Sequence, residues 1–151
     1  MTDIVSVATR SRMMSGIQAE GTRPERVVAR ILGQLGVHHS MHVKDLPGTP
    51  DFVLPDHHAA IRVHGCFWHF HECGLSKVPH NNAQFWQKKL LANRSRDEST
   101  AMGLIEQRWR VLTIWECALR GTQRWTEQDL TAIVAGWLAG DDFSDEIMGR
   151  F

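Results

Sequence analysis

The sequence predicts a mixed α/β protein, in which helices pack against a sheet, and three observations carry this prediction. A capped helical pattern comes early, three short strand patterns separated by Pro and Gly turns follow it, and a long helical pattern then leads to one more strand and a last helix. This order is typical of a sheet with helices against it. At 151 residues, of which 42% are apolar and 23% charged, the chain suits a single domain over residues 1–151.

The first clear helix signal is a capping box with proline in the first turn, Thr-Arg-Pro-Glu at residues 22–25. The helix should stop at Gly36, because glycine commonly closes a helix. Ahead of it, we expect residues 1–20 to form an N-terminal arm that contains a short helix over residues 9–16. The apolar side of the capped helix consists of Val27, Val28, Ile31, Leu32 and Leu35.

The middle of the chain predicts strands. Residues 37–43, 51–54 and 59–64 are read as three strands joined by turns at 46–50 and 55–58, which together suggest an antiparallel meander. A helical pattern runs over residues 82–107, the apolar run RVLTIW at 110–115 predicts a buried strand, and residues 127–138 predict a last helix. We expect the acidic segment 141–151 to be a loose tail.

Composition excludes several classes of protein. No apolar run approaches the roughly 18–20 residues of a membrane span, and the N-terminus has no apolar segment of the kind that secretion signals carry. Three cysteines cannot all pair with one another, so a disulfide scaffold is disfavoured and a cytoplasmic location is expected. The net charge is zero, but the acids concentrate after residue 126, which leaves the rest of the chain basic and compatible with a polyanionic partner.

The segment HGCFWHFHEC at residues 64–73 is the densest group of metal-ligand side chains in the chain. Cys66 and Cys73 lie in it, and Cys117 follows the predicted RVLTIW strand. A structural zinc site takes four thiolate or imidazole ligands, so one histidine completes the set, and spacing alone leaves His69 and His71 as alternatives. Three buried free thiols are the competing interpretation.

A second group of residues suggests a different metal. Asp51 follows a proline at the head of a strand, His64 ends the next strand, and Glu25 lies on the preceding helix. This is the skeleton of a PD-(D/E)xK nuclease site, in which Asp51 would bind Mg²⁺, a hard cation that takes oxygen ligands. The usual second acid and lysine are absent, since the matching stretch at 62–64 is Arg-Val-His.

A third group is aromatic. Phe67, Trp68 and Trp86 lie near the basic stretch at residues 88–96. Exposed aromatic rings among bases can stack on nucleobases or wedge between them. For Trp86 the alternative is a place in the core beneath its helix.

Taken together, these segments resemble the very short patch repair (Vsr) family of DNA mismatch endonucleases. The resemblance covers residues 8–121, about three quarters of the chain. It is carried by ATRSRMM at 8–14, LPGTPDFV at 46–53, HGCFWHFHEC at 64–73, KVP at 77–79, the FW, KL, N and RD positions between 85 and 97, and WRVLTIWECALRG at 109–121.

The resemblance implies a restriction-endonuclease-like core with a structural Zn²⁺ and a Mg²⁺-dependent nicking activity. Such an enzyme cuts double-stranded DNA 5′ to the T of a T:G mismatch left by deamination of 5-methylcytosine, and so initiates very short patch repair. We expect a monomer that acts at the bacterial nucleoid, with mismatch-repair proteins as further partners and no membrane association. A nuclease of the same fold with a different mismatch or site, and a zinc-stapled DNA-binding module without catalysis, are the alternatives.

The resemblance also implies roles for individual residues. His69 would activate water, with His64 and Glu25 as supporting groups, and Asp51 would bind Mg²⁺ together with Val63. Many family members have Thr at the position of Val63, so Val63 serves if the backbone carbonyl is the ligand and catalysis is impaired if the hydroxyl is needed. The implied zinc ligands are Cys66, His71, Cys73 and Cys117, and the implied DNA contacts are Phe67, Trp68, Trp86, Lys89, Asn93 and Met14.

Overall fold

The computed structural model describes residues 22–73 and 78–151. The predicted N-terminal arm, with its helix and Met14, lies outside these residues. Helix α1 spans Arg23–Gln34 and begins as the capping box predicts, because the Thr22 side chain accepts a hydrogen bond from the Glu25 N–H at 3.4 Å. Its buried side faces the core with Val28, Ile31 and Leu32.

A five-stranded mixed sheet forms the centre of the molecule, in the order β1-β2-β3-β4-β5. The first three strands pair antiparallel, which confirms the predicted meander, and β4 and β5 are added in parallel. The strands are β1 Ser40–Met41, β2 Phe52–Leu54, β3 Ala59–His64, β4 Arg110–Trp115 and β5 Ser144–Ile147.

Strand β1 is much shorter than the predicted strand over residues 37–43. Only Ser40 and Met41 pair with β2, and the next residue, His42, has a left-handed backbone with φ of 51°. A left-handed residue cannot continue the pleat of a strand, so the strand ends there and the His42 side chain is redirected.

Three helices follow β3. Helix α2 spans Ala83–Glu106, the short α3 spans Glu116–Leu119, and α4 spans Glu127–Ala139. Helix α1 packs against α4 over a core that α2 does not share. No helix in the described part of the chain is both long enough and apolar enough to cross a membrane.

The prediction that residues 141–151 form a loose tail is wrong. Residues 144–147 form β5, which pairs in parallel with β4 and buries Ile147 in the core. Past the strand, the Arg150 N–H donates to the Gln123 carbonyl at 2.8 Å. The pattern Ser-Asp-Glu-Ile conceals the strand because only its last side chain is buried.

The parallel pairing of β3 and β4 decides where the site lies. Their register places His64 opposite Trp115, so both strands end at the same edge of the sheet. The Cys/His segment leaves β3 at this edge, and α3 with Cys117 leaves β4 beside it. Residues far apart in sequence therefore meet where the two strands end.

Candidate active site

Asp51 and Glu25 form a buried carboxylate pair at the head of β2. The Asp51 Oδ2 accepts a hydrogen bond of 2.7 Å from the backbone N–H of Val63 on β3. Glu25, on the first turn of α1, is only 4% exposed. The pKa of Asp51 is raised to about 7, mainly by burial and further by the neighbouring Glu25, while the Val63 hydrogen bond opposes the rise.

His42 lies beside these two carboxylates, and no role was predicted for it from the sequence. Its Nε2 lies 3.2 Å from the Glu25 Oε2 and 3.9 Å from the Asp51 Oδ1. One ligand atom from each of the three residues lies within 4.8 Å of the other two. The hairpin around the turn at 46–50, which pairs residue 42 with residue 51, was the one sequence signal that pointed to it.

A divalent cation fits the two carboxylates of this group. Two carboxylates that are largely shielded from water repel each other, and a cation between them removes that cost. In an antiparallel ladder, the N–H and C=O of one residue face the same neighbouring strand. Because the Val63 N–H faces Asp51, the Val63 carbonyl faces the same side and can supply a further oxygen ligand without the hydroxyl of a threonine.

His69 forms a pair with Asp97, a residue of α2 to which sequence reasoning gave no role. The His69 Nδ1 lies 2.5 Å from the Asp97 Oδ2. An imidazole that donates its Nδ1 proton to a carboxylate has Nε2 free as a proton acceptor. The separation of 28 positions between the two residues explains why no local pattern linked them.

His64 lies directly against His69, with the two rings parallel at a centroid distance of 3.8 Å. Burial, together with the nearby charges of His69 and Arg62, lowers the pKa of His64 to about 2, so the imidazole is neutral. Within the described ranges its Nδ1 has no hydrogen-bond partner. His64 therefore contributes a neutral polar edge to the site.

Arg62 ties α2 to the sheet beneath these histidines. Its guanidinium donates to the Thr113 hydroxyl on β4 at 2.8 Å and to the Asp97 carbonyl and the Thr100 hydroxyl on α2 at 2.8 and 3.3 Å. The turn of α2 that carries Asp97 is thereby fixed relative to the strand that carries His64.

A single cleft of about 680 Å³ connects these groups. One wall comes from the first turn of α1 and the loop before β2, and the other comes from α2 and the Cys/His segment. The ionisable and backbone groups that face it include Glu25, Asp51, Val63, His64, His69 and Asp97.

The three cysteines and His71 form a separate cluster beside the cleft. The Nδ1 of His71 lies 3.6 Å from the Sγ of Cys66 and 3.6 Å from the Sγ of Cys117. With Cys73, the four donor atoms lie within 4.8 Å of one another, and no disulfide joins the cysteines. Zinc bonds of about 2.0–2.3 Å place tetrahedral ligands roughly 3.5–3.8 Å apart, so the set fits zinc.

The chemistry of these donors also fits a cation. Burial raises the pKa of the Cys66 and Cys117 thiols, so that thiolates need a positive neighbour here. Burial lowers the pKa of His71, which keeps its imidazole neutral, as a metal ligand must be. Geometry thereby separates the two alternatives of the sequence, since His71 joins the cysteines and His69 joins Asp97.

Backbone N–H groups surround the sulfur atoms. The Cys117 N–H points at the Cys66 Sγ at 3.3 Å, and the Gly149 N–H points at the Cys117 Sγ at 3.3 Å. A β-carbon at residue 149 would lie 2.9 Å from the carbonyl oxygens of Cys117 and Gln123, so only glycine fits. The segment after β5 thus supports the cysteine cluster.

Comparison with known proteins decides the family. The family model described as DNA mismatch endonuclease Vsr matches residues 2–75. The DNA mismatch endonuclease Vsr of Escherichia coli K12 is 40% identical over 147 residues, which are 97% of this chain and 94% of that protein. The chain belongs to the Vsr family of DNA mismatch endonucleases.

Nicking enzymes are similar to this Vsr protein as well. Type II nicking enzyme V.XorIIP of Xanthomonas oryzae pv. oryzae is 40% identical over 119 residues, 79% of this chain and 88% of that enzyme. Type II nicking enzyme V.NmeAIP of Neisseria meningitidis serogroup A is 34% identical over 120 residues, 80% of this chain and 86% of that enzyme.

The Vsr protein places an aromatic cluster at the mouth of the cleft. Phe67 and Trp68 are half-buried and pack edge to face, with ring centroids 5.0 Å apart. Trp86 is only 5% exposed and packs beneath both rings, at 5.6 Å from Phe67 and 6.2 Å from Trp68. In this arrangement the helix packs Trp86 into the protein, and its entry into the duplex stays a prediction.

Among the described residues, the remaining predicted DNA contacts lie on the same side. Lys89 is exposed, and its ammonium lies 5.9 Å from the Trp68 ring centroid and 5.8 Å from that of Trp86. The Asn93 side chain donates to the Trp68 carbonyl at 3.0 Å. In the Vsr protein Asn93 thus holds the aromatic loop, while Lys89 presents a charge beside it.

Proposed function

We propose that this Vsr protein is a divalent-metal-dependent endonuclease that nicks one strand of duplex DNA, 5′ to the T of a T:G mismatch arising from 5-methylcytosine deamination, and thereby initiates very short patch repair. The observation that carries the proposal is the convergence on one cleft of a carboxylate pair fit for a cation and a histidine held by a carboxylate. The printed names of the relatives, a mismatch endonuclease and nicking enzymes, support it.

His69 is the general base of this proposal. Asp97 accepts the Nδ1 proton, fixes the ring and leaves Nε2 to take a proton from the attacking water. His64, stacked against it and neutral, excludes bulk water from one side of the ring. The proton moves from water to the His69 Nε2 as the new oxygen–phosphorus bond forms and the bond from phosphorus to the leaving 3′ oxygen breaks, and that oxygen takes up a proton from solvent.

Asp51, Glu25 and the Val63 carbonyl are the groups that would hold Mg²⁺. When bound, such a cation supplies stabilisation of the negative charge that develops on the phosphate and the leaving oxygen. Glu25 is held by His42 and so keeps its carboxylate aimed at Asp51. The buried Glu25 and His69 take the places of the second acid and the lysine that the PD-(D/E)xK pattern contains and this chain lacks.

Phe67 and Trp68 supply selectivity for the mispair. Unstacking a base step costs a few kcal/mol, and it costs least where the bases are mismatched. A wedge held rigidly at the mouth of the cleft therefore enters most readily at a mispair. The zinc cluster formed by Cys66, His71, Cys73 and Cys117 keeps the loop of the wedge in place, because zinc ligands flank both rings in the sequence.

The test is a nicking assay with Mg²⁺ on short duplexes that carry T:G, each other mispair or only paired bases, with each strand end-labelled in turn. We expect one cut, on the T strand, immediately 5′ to the T of the T:G pair. Asp51→Asn should bind the T:G duplex and leave it uncut. Equal cutting of paired and mismatched duplexes, or cutting of both strands, would overturn the proposal.

A second candidate is a site-directed nicking enzyme of the same fold with a different target. The printed names of several relatives, Type II nicking enzymes, favour it. The same assay separates the two, since a site-directed enzyme cuts a paired duplex that contains its sequence. A non-catalytic zinc-stapled module would need neither Asp51 nor the pair of His69 and Asp97.

A further inference from the structure

We propose that His42 is a direct ligand of the catalytic cation and that the site therefore takes Mn²⁺ in preference to Mg²⁺. The inference rests on the proposed function, because it concerns the same metal site. It is carried by the juxtaposition of the His42 Nε2 with the Glu25 Oε2 and the Asp51 Oδ1, two carboxylates that line the cleft.

The distances between the donor atoms fit ligands that share one ion. Octahedral metal–ligand bonds of about 2.0–2.2 Å place adjacent ligand atoms roughly 2.8–3.1 Å apart and opposite ones roughly 4.0–4.4 Å apart. The His42 Nε2 lies 3.2 Å from the Glu25 oxygen, close to the spacing of adjacent ligands, and 3.9 Å from the Asp51 oxygen, close to the spacing of opposite ligands. The second Asp51 oxygen is held by the Val63 N–H, so the oxygen nearer to His42 is the one turned toward the ion.

The backbone of His42 holds its ring in this position. The residue ends β1 in a left-handed conformation, with φ of 51°, while its N–H donates to the Asp51 carbonyl at 3.1 Å. Left-handed conformations are uncommon outside glycine, and they cluster where a side chain must be aimed at a functional site. Here the conformation turns the imidazole from the sheet edge toward the two carboxylates.

An imidazole ligand changes the metal preference of the site. Mg²⁺ favours oxygen ligands in near-ideal octahedral geometry, whereas imidazole nitrogen suits first-row transition metals, among which Mn²⁺ is the one that also favours carboxylate and carbonyl oxygen. The site offers a mixed set of ligands, namely two carboxylates, one imidazole and a backbone carbonyl. Such a set binds Mn²⁺ well and Mg²⁺ less well. Asp51 and Glu25 alone would not give this preference.

The competing role for His42 is that of a cationic counter-ion to the two carboxylates. The two roles predict opposite results. If His42 is a ligand, its loss weakens Mn²⁺ binding, whereas if it is a counter-ion, its loss removes a competitor and leaves Mn²⁺ binding unchanged or tighter.

The experiment follows Mn²⁺ binding by electron paramagnetic resonance on the zinc-loaded full chain without DNA. His42→Gln replaces the nitrogen by a hard oxygen ligand or none, His42→Ala removes the side chain, and His38→Gln is the matched control at an exposed histidine four residues away. Thermal melting of each variant accompanies the titration. If one His42 variant fails to fold, the other carries the test.

If His42 is a ligand, we expect at least a tenfold loss of Mn²⁺ affinity in the His42 variants. Even the loss of a residue that only hydrogen-bonds to a metal ligand lowers metal affinity by about 10–100-fold. Affinity for Mg²⁺, measured by competition, should change less. Pulsed spectra of bound Mn²⁺ should contain the coupling of a directly bound nitrogen, which disappears in His42→Gln and remains in His38→Gln. Unchanged or tighter Mn²⁺ binding, or a bound-nitrogen coupling that is absent or survives in His42→Gln, would overturn the inference.

The inference and the proposed function fail separately. If the protein nicks T:G duplexes but bound Mn²⁺ has no nitrogen coupling, the function stands and the role of His42 falls. If the coupling is present but no metal supports nicking, the metal site stands and the function falls.

Discussion

Asp97 controls His69 through one hydrogen bond of 2.5 Å. We predict that Asp97→Asn lowers single-turnover nicking by at least about a hundredfold, the lower end of what general base catalysis contributes. An asparagine can hold the ring in the wrong tautomer, with Nε2 protonated and unable to accept a proton. Rates measured at saturating duplex and metal test this, and binding of the duplex should be unchanged.

The matched control for Asp97→Asn is Glu98→Gln, one residue further along α2 on an exposed carboxylate. It removes the same charge from the same helix without contact with His69. If both variants nick at the same rate, Asp97 acts through the general charge of the helix and not through the imidazole.

Trp68 is the residue at which mismatch selectivity is most directly tested. Base–aromatic stacking is worth about 1–3 kcal/mol, so Trp68→Ala should reduce the preference for T:G over paired duplex by roughly tenfold or more. Nonspecific affinity, which depends on Lys and Arg contacts to phosphates and on salt, should change less. Competition binding at two salt concentrations measures both quantities.

Phe143→Ala is the control for Trp68→Ala, because Phe143 is an aromatic side chain with 65% exposure that does not line the cleft. It should leave selectivity unchanged. If Trp68→Ala discriminates as the wild type does, Phe67 and Trp68 only pack around the cysteine cluster and do not select the mispair.

Which site residues the sequence could reveal depends on how local their partners are. Cys66, His71 and Cys73 stand close together, so their chemistry was visible as a motif. Asp97 and His42 act through partners on other elements, 28 and 17 positions away in sequence. Asp97 belongs to a segment that carries the family resemblance, but nothing local assigned it a role, and His42 lies in no motif. Only the folded sheet and helix bring each of them to its partner.

Helix α2 depends on a few buried side chains over its 24 residues, namely Trp86, Leu90 and Leu104. We predict that Trp86→Ala lowers the free energy of unfolding by about 3–5 kcal/mol, as large-to-small changes in a core do. Urea denaturation measures this directly. At temperatures where the variant is folded, its T:G selectivity should fall less than that of Trp68→Ala, and the reverse order would restore Trp86 as the wedge.

The elements themselves were predicted unevenly. The strand at 110–115 was placed at its true bounds because it is a mostly apolar, buried run, and the strand at 59–64 because a turn precedes it and the irregular Cys/His segment follows it. Strand β5 was missed because three of its four side chains are exposed. Strand β1 was overextended because nothing in the sequence indicates the left-handed turn at His42.

At the scale of the whole molecule, the cysteine cluster joins the two ends of the connection between β3 and β4. Cys66 and Cys117 are 51 positions apart, and closing a loop of that length stabilises a fold by roughly 4 kcal/mol on chain-entropy grounds. We predict one zinc per chain by metal analysis. Its removal by a chelator should lower the melting temperature by about 10 °C.

Cys117→Ala should reproduce this loss of stability, and the chelator should then have little further effect. Undenatured protein that holds no zinc and has three titratable thiols would refute the zinc site. Restoring Mg²⁺ to chelated protein should not restore the melting temperature, since thiolates do not select hard cations.

Strand β5 has a consequence for how copies of the protein behave toward one another. It is the outermost of the strands that the structure describes on its side of the sheet, and an open edge is a template for aggregation by strand pairing between molecules. Asp145 and Glu146 are exposed on this edge. If two copies met edge to edge, these carboxylates would face each other and repel. The same acidic side chains that make the strand hard to predict from the sequence therefore also discourage self-association.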